Sequence, residues 1–128
     1  MIRIAVARIV NERDEVLLVR KKATNVFMQP GGKIDFGETA SDALVRELRE
    51  ELGLDIPVSD LAYLGEAEAV AANEPGERVA ASVFGFDFSG DVECRAEIAE
   101  AKWIHPDRAF GIALAPLTSE AILPWRAG

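Results

Sequence analysis

Glu47, Glu50 and Glu51 are the residues of this 128-residue chain whose type and spacing could do chemistry. They stand at i, i+3 and i+4, so on a helix turning 100° per residue they fall within roughly a 100° arc. Three carboxylates that close repel one another and weaken a bare helix by a few tenths of a kcal/mol per pair, about 0.2–0.5. A hard divalent cation reverses the sign of that interaction, because Mg²⁺ takes oxygen ligands from one or two carboxylates, waters and phosphate groups. Taken alone, E-x-x-E-E also fits an acidic helix face turned to water. The residues around it narrow the choice. Gly32, Glu38, Arg46 and Gly53 join the three glutamates at fixed spacing. A chance match of all seven at a given start is on the order of 10⁻⁸ from average composition.

Those carboxylates need a helix to carry them, and Thr39 to Leu52 supplies it. Thr39 is placed to cap the N-terminus with Asp42 three residues on, and Gly53 stands where a left-handed C-terminal residue is wanted. Leu44, Val45, Leu48 and Leu52 share one side of the wheel and the glutamates an adjacent one. Strands are expected over Ile2 to Val10 and Glu15 to Arg20, joined as a hairpin by the turn residues Asn11 to Asp14. Leu61 to Ala72 and Val79 to Phe88 read as two more strands around a longer loop containing Pro75-Gly76. Ala101 to Ile104 reads as a short strand, Pro106 to Phe110 as a helical turn, and Thr118 to Leu123 as a short terminal helix. One long helix set between hairpins predicts an α+β fold, a sandwich around a mixed sheet, with residues 1–128 as one domain.

Composition excludes several classes. Lys plus Arg number 14 against 22 Asp plus Glu, a net charge of -8. With nothing basic clustered, a broad grip on nucleic-acid backbone is not expected. One cysteine, Cys94, makes no intrachain disulfide and builds no thiolate zinc site, and one histidine, His105, removes His-rich metal sites. His105 reads as a cap or surface residue. No apolar run approaches membrane-spanning length, and Arg3 and Arg8 interrupt the apolar N-terminus, so no membrane partner is expected and the location expected is cytoplasmic.

The segment Gly32 to Leu54, 23 residues, resembles at every position the Nudix box G-x5-E-x7-R-E-U-x-E-E-x-G-U, with Leu48 and Leu54 at the aliphatic positions U. The entry through Pro30-Gly31-Gly32-Lys33-Ile34 is similar to that of the small MutT-like Nudix hydrolases. The resemblance implies an α/β/α sandwich with the box as loop-helix-loop, and Mg²⁺-dependent hydrolysis of a nucleoside diphosphate linked to another moiety. Mn²⁺ would be the substitute cation. It implies metal ligands at Glu47, Glu50 and Glu51 with the Gly31 carbonyl, and a bracing pair of Arg46 and Glu38. A base or extra ligand outside the box would be Glu97 or Glu100, ahead of Trp103, with Glu97 preferred over Glu100 and Glu47 as the box alternative.

The same resemblance points to Asn25, Phe27, Met28, Tyr63, Trp103 and Ser119 around a base pocket and to Gly32 at the phosphates. The basic run Arg20-Lys21-Lys22 is expected to meet the distal phosphates, through Arg20 and Lys22 first. Thr118 or Ser119 stands where MutT-like enzymes carry an asparagine. Ala69, Val70 and Ala72 lack the markers of ADP-ribose and dinucleoside polyphosphate enzymes, which puts a nucleoside triphosphate first, with release of the monophosphate and pyrophosphate. ADP-ribose or a related derivative, and a nucleotide-binding module without turnover, remain the alternatives. A homodimer through Ile2 and Ile4 or Trp125 follows by analogy only.

Overall fold

The computed structural model describes residues 1–125. Seven strands form a mixed sheet: β1 (Ile2–Val10), β2 (Val16–Lys21), β3 (Phe27–Met28), β4 (Gly31–Lys33), β5 (Ala62–Val70), β6 (Arg78–Asp87) and β7 (Ile98–Ile104). The only α-helix among the described residues, α1 (Ala40–Leu52), lies between β4 and β5 in the chain. β1 runs parallel to β6 over its whole length, and β6 pairs antiparallel with β5. β2 pairs antiparallel with β7, and the register shifts between Arg20 and Lys21.

The expected β1–β2 hairpin is the main correction. Its turn forms as read, with the Asn11 side-chain oxygen accepting from the N–H groups of Arg13 and Glu15 at 2.9 and 3.0 Å. The two strands then pair only at Val10 and Val16. Beyond that point the edge of β1 is taken by β4, with Ile4–Val6 opposite Gly31–Lys33, while β2 turns to β7. β3 and β4, to which no strand is assigned from the sequence, are therefore strands created by partners distant in sequence. β7 also starts at Ile98, three residues before the expected Ala101.

Both faces of the sheet are covered, and strand alternation decides what covers each. Ala5, Ala7 and Ile9 of β1 face α1, in one cluster with Leu44, Leu48 and Leu52. Truncating any of those leucines to alanine costs about 2–5 kcal/mol. Val6 faces the other way, with Ala81, Val83, Leu117 and Ile122. That second face is closed by a wide helical turn over Thr118–Ile122, in which the Leu123 N–H donates to the Thr118 carbonyl at 3.0 Å. Arg8 anchors the turn, donating from Nε to the Ile122 carbonyl at 2.7 Å. The helix ends behave as read: Thr39 Oγ1 accepts from the Asp42 N–H at 3.1 Å, and Gly53 closes α1 at φ 66°. No helix among the described residues is long and apolar enough to cross a membrane.

Candidate active site

β4 and α1 build the site together. Gly31 sits at φ 138° opposite Val6, and a Cβ there would overlap the Ala5 carbonyl oxygen. A Cβ on Gly32 would lie 2.6 Å from the Glu47 carboxylate. Two glycines thus let the helix press its acidic face against the strand, which is why the pair Gly31-Gly32 is needed here.

Beneath that contact Glu51 is 2 % exposed and its carboxylate accepts the Gly31 N–H at 3.1 Å. Burial pushes its carboxyl up to about 8 from 4.5, against the lowering effect of the Gly31 N–H. The charges of Glu47 and Glu97 push it further in the same direction, and Lys21 opposes them. Glu47 is also held above its ordinary value, first by burial, while Arg46 lowers it and the charges of Glu50 and Glu97 add to the rise. Glu47, Glu51 and Glu97 are therefore close enough to feel one another without enough positive charge to balance them.

Arg46 braces this arrangement. Its Nε and Nη2 donate to the two oxygens of Glu38 at 2.8 and 2.9 Å, and Nη1 donates to Glu47 Oε1 at 2.9 Å. Nη2 also reaches the Lys33 carbonyl at 3.2 Å. The Glu38 carboxylate, hydrogen-bonded first to Arg46 and then to the Asp35 N–H, is held down at about 2. The bidentate fork fixes the guanidinium plane, and that plane aims Glu47.

Glu47 and Glu97 line a cleft of about 330 Å³ together with Lys21, Gly31 and Gly32. Apolar side chains including Ile2, Ile4 and Val79 share its wall with the polar Gln29, Lys33, Asn73 and Glu74. Glu50 stands apart: it is exposed, and Arg46 Nη1 lies 3.6 Å from its Oε2. Among the described residues no three acidic, histidine or cysteine side chains form a ready-made metal cage. A hard cation shared with phosphate oxygens does not need one, and the buried Glu51 with the half-buried Glu47 and the cleft-lining Glu97 is a suitable donor set.

The expected positions separate residue by residue. Of the run Arg20-Lys21-Lys22 only Lys21 lines the cleft, Lys22 is exposed, and Arg20 pairs with Glu100 at 3.1 Å and the Thr24 carbonyl at 2.8 Å. Met28 lines it, whereas Phe27 is buried on the opposite side beneath the Lys102 ammonium, 5.4 Å from the ring centroid. Exposed Ser119 turns its hydroxyl to the Pro116 carbonyl at 3.2 Å, while Thr118 points inward. Alternation of side chains makes each one-residue offset a change of face or environment.

Trp103 packs against the helix-side cluster and lines a separate groove with Asn11, Glu12 and Ser89. Tyr63 is exposed on β5, its ring 5.5 Å from that of Phe84, and Asn25 is exposed. Glu97 and Glu100 separate, since only Glu97 lines the cleft. Ile2 and Ile4 face the cleft and Trp125 packs on the second-face cluster, so none of the three is a free apolar patch. His105 caps the turn Pro106–Arg108, accepting the Asp107 N–H at 3.1 Å. The sequence reading missed Gln29. Its only signal was a lone amide immediately before Pro30-Gly31-Gly32.

Comparison with known proteins places this geometry. A family model of the NUDIX domain matches residues 1–125. A putative 8-oxo-dGTP diphosphatase of Bacillus subtilis is 32 % identical over 100 residues, 78 % of this chain and 64 % of the relative. An ADP-ribose pyrophosphatase of Methanocaldococcus jannaschii is 32 % identical over 104 residues, 78 % of this chain and 60 % of its own. The chain thus spans somewhat under two thirds of the length of these relatives. The crystal structure of a MutT protein from Methanosarcina mazei superposes with a TM-score of 0.75 at 26 % identity, covering 95 % of this chain and 89 % of that one. With its box folded as loop-helix-loop against a mixed sheet, the chain belongs to the Nudix family.

Proposed function

We propose that this chain is a Mg²⁺-dependent pyrophosphohydrolase that cleaves a nucleoside triphosphate, or a modified one, to the monophosphate and pyrophosphate. The observation that carries the reading is the cleft itself. Carboxylates of Glu47 and Glu97 line it, the buried Glu51 carboxylate lies close enough to both for their charges to oppose its ionisation, and apolar side chains share the wall. Glu47, Glu51 and the Gly31 carbonyl would hold the cation, with Glu50 as a further ligand. Mn²⁺ offers the same oxygen preference in place of Mg²⁺. When bound, the cation neutralises phosphate charge and makes the attacking water more acidic.

The chain's own residues do the rest. Gly31 and Gly32 carry no side chain between the phosphates and α1, and Lys21 supplies positive charge on the same wall. Arg46, held by Glu38, keeps Glu47 aimed at the cleft. Glu97, which has no ion pair among the described residues, is the general base that takes the proton of the attacking water. Residues 1–128 would act as one catalytic unit in the cytoplasm on a small nucleotide.

The test is a hydrolysis screen with Mg²⁺, with and without chelator, and with released products identified by mass. It covers nucleoside triphosphates, their 8-oxo forms, ADP-ribose, NADH, dinucleoside polyphosphates and nucleotide sugars. Chelator-sensitive release of monophosphate and pyrophosphate from triphosphates is the expected result. Turnover confined to ADP-ribose, the substrate in the name of the M. jannaschii relative, would replace it. Nucleotide binding without turnover of any substrate would leave a binding module.

A further inference from the structure

Gln29 is a buried polar residue on the wall of the cleft, 7 % exposed, and the cleft is also lined by Ala115 and Leu117. It is held from behind. Thr118, with no exposed surface, donates from Oγ1 to Gln29 Oε1 at 2.7 Å. That bond occupies the amide oxygen and sets which way the amide faces. The amide nitrogen has no hydrogen-bond partner among the described residues, and it is not sealed from solvent. A buried side chain therefore presents two N–H donors to the cleft.

Donors so placed fit a base carrying a carbonyl oxygen and oppose one carrying an amino group at the same position. We propose that Gln29, oriented by Thr118, selects nucleotides whose base bears an oxo group over those whose base bears an amino group at the same position. The inference rests on the nucleotide reading of the cleft and refines it. A lone apolar slot cannot make this distinction, because a hydrophobic wall discriminates weakly between isosteric polar groups. In this arrangement Gln29 contacts the base and Thr118 is a positioning residue.

Matched substrate pairs isolate the contact. ITP and ATP differ at position 6 of the purine, and UTP and CTP at position 4 of the pyrimidine. For the parent enzyme, kcat/KM is expected to favour the oxo member of at least one pair by about 10- to 100-fold, the range for a buried polar group matched or left unpaired. Gln29→Leu brings that ratio close to one. Gln29→Glu keeps an acceptor for Thr118 and replaces the N–H donors with a carboxylate oxygen, so the preference falls or inverts toward the amino base. Thr118→Val frees the amide to turn and weakens the preference, while Thr118→Ser retains it.

A structural role alone would lower every kcat/KM together and leave the ratios unchanged. The same pairs as monophosphates, measured by calorimetry in chelator, supply the readout if no triphosphate is hydrolysed. An oxo preference in binding that Gln29→Leu removes sustains the inference even where the hydrolase reading fails. Turnover with equal use of both members of each pair, ratios unmoved by Gln29→Leu and Gln29→Glu, or no binding of either member would overturn it.

Discussion

Replacing Glu51 with glutamine should make the metal-free protein more stable at alkaline pH while removing its response to Mg²⁺. The native Glu51 carboxyl stands at about 8 against an ordinary 4.5, chiefly because burial disfavours its charge. A displacement of that size corresponds to roughly 5 kcal/mol against the ionised form once the group is fully deprotonated. The sign follows from proton uptake. Between about pH 4.5 and 8 the native state binds the proton and the unfolded chain does not, so stability falls as pH rises through that window. From pH 5 to 8 the loss is ~3 kcal/mol, or about 10 °C in melting temperature for a chain of this length.

Glutamine keeps an oxygen to accept the Gly31 N–H and carries no charge, so the contribution of this residue to the slope disappears. The assay is thermal unfolding of parent and Glu51→Gln from pH 5 to 8, in chelator and again in saturating Mg²⁺. In chelator at pH 8 the variant should melt higher than the parent. In Mg²⁺ the parent should gain stability with rising pH, as ligand binding to the native state requires, and the variant should gain much less. Parallel pH profiles of the two proteins in chelator would show that the buried charge is not what the site stores, and the reasoning would fail.

Glu97→Gln should lower kcat by about 100-fold or more, the usual contribution of a general base, while Glu100→Gln leaves it near the parental value. Steady-state kinetics of the two variants tests the separation that the cleft makes between them. Gly32→Ala should cut kcat sharply, because the new Cβ would stand 2.6 Å from the Glu47 carboxylate and displace it. Its melting temperature should fall little, since the displaced group is the end of a flexible side chain, and differential scanning calorimetry checks that. Glu38→Gln should lower kcat by about 10-fold through loss of the fork that aims Arg46, as typical for outer-sphere partners of a metal site. Because native Glu38 is held at about 2, its stabilising contribution is present above about pH 4.5 and is lost as pH falls toward 2. The difference in melting temperature between parent and Glu38→Gln should narrow over that acid window.

The helix and its chemistry were legible in the chain because they are local. Thr39, Leu44, Leu48, Leu52 and Gly53 specify α1 within one segment, and Glu38, Arg46, Glu47 and Glu51 follow from their places on or just before it. Strand existence was legible for β1, β5 and β6, whose apolar runs are long enough to declare themselves. β3 and β4 were not, because two or three residues carry no periodicity and become strands only through β2 and β1.

The amino-acid sequence by itself determined that one helix would carry clustered carboxylates, since spacing along one helix is a local quantity. Only the tertiary structure decided which neighbours of those carboxylates line the cleft. The register shift between Arg20 and Lys21 accompanies Lys21 on the cleft wall and Arg20 against Glu100. Pairing of Phe27–Met28 with β2 puts Met28 in the cleft and Phe27 behind it. Glu97 and Glu100 look alike in the chain and differ because β7 starts between them. Thr118 reaches Gln29 across 89 positions of sequence. The outcomes on β2 and β3 depend on long-range strand register, where a one-residue change turns a side chain from one environment to the other. The Thr118–Gln29 bond depends on the helical turn that closes the second face of the sheet.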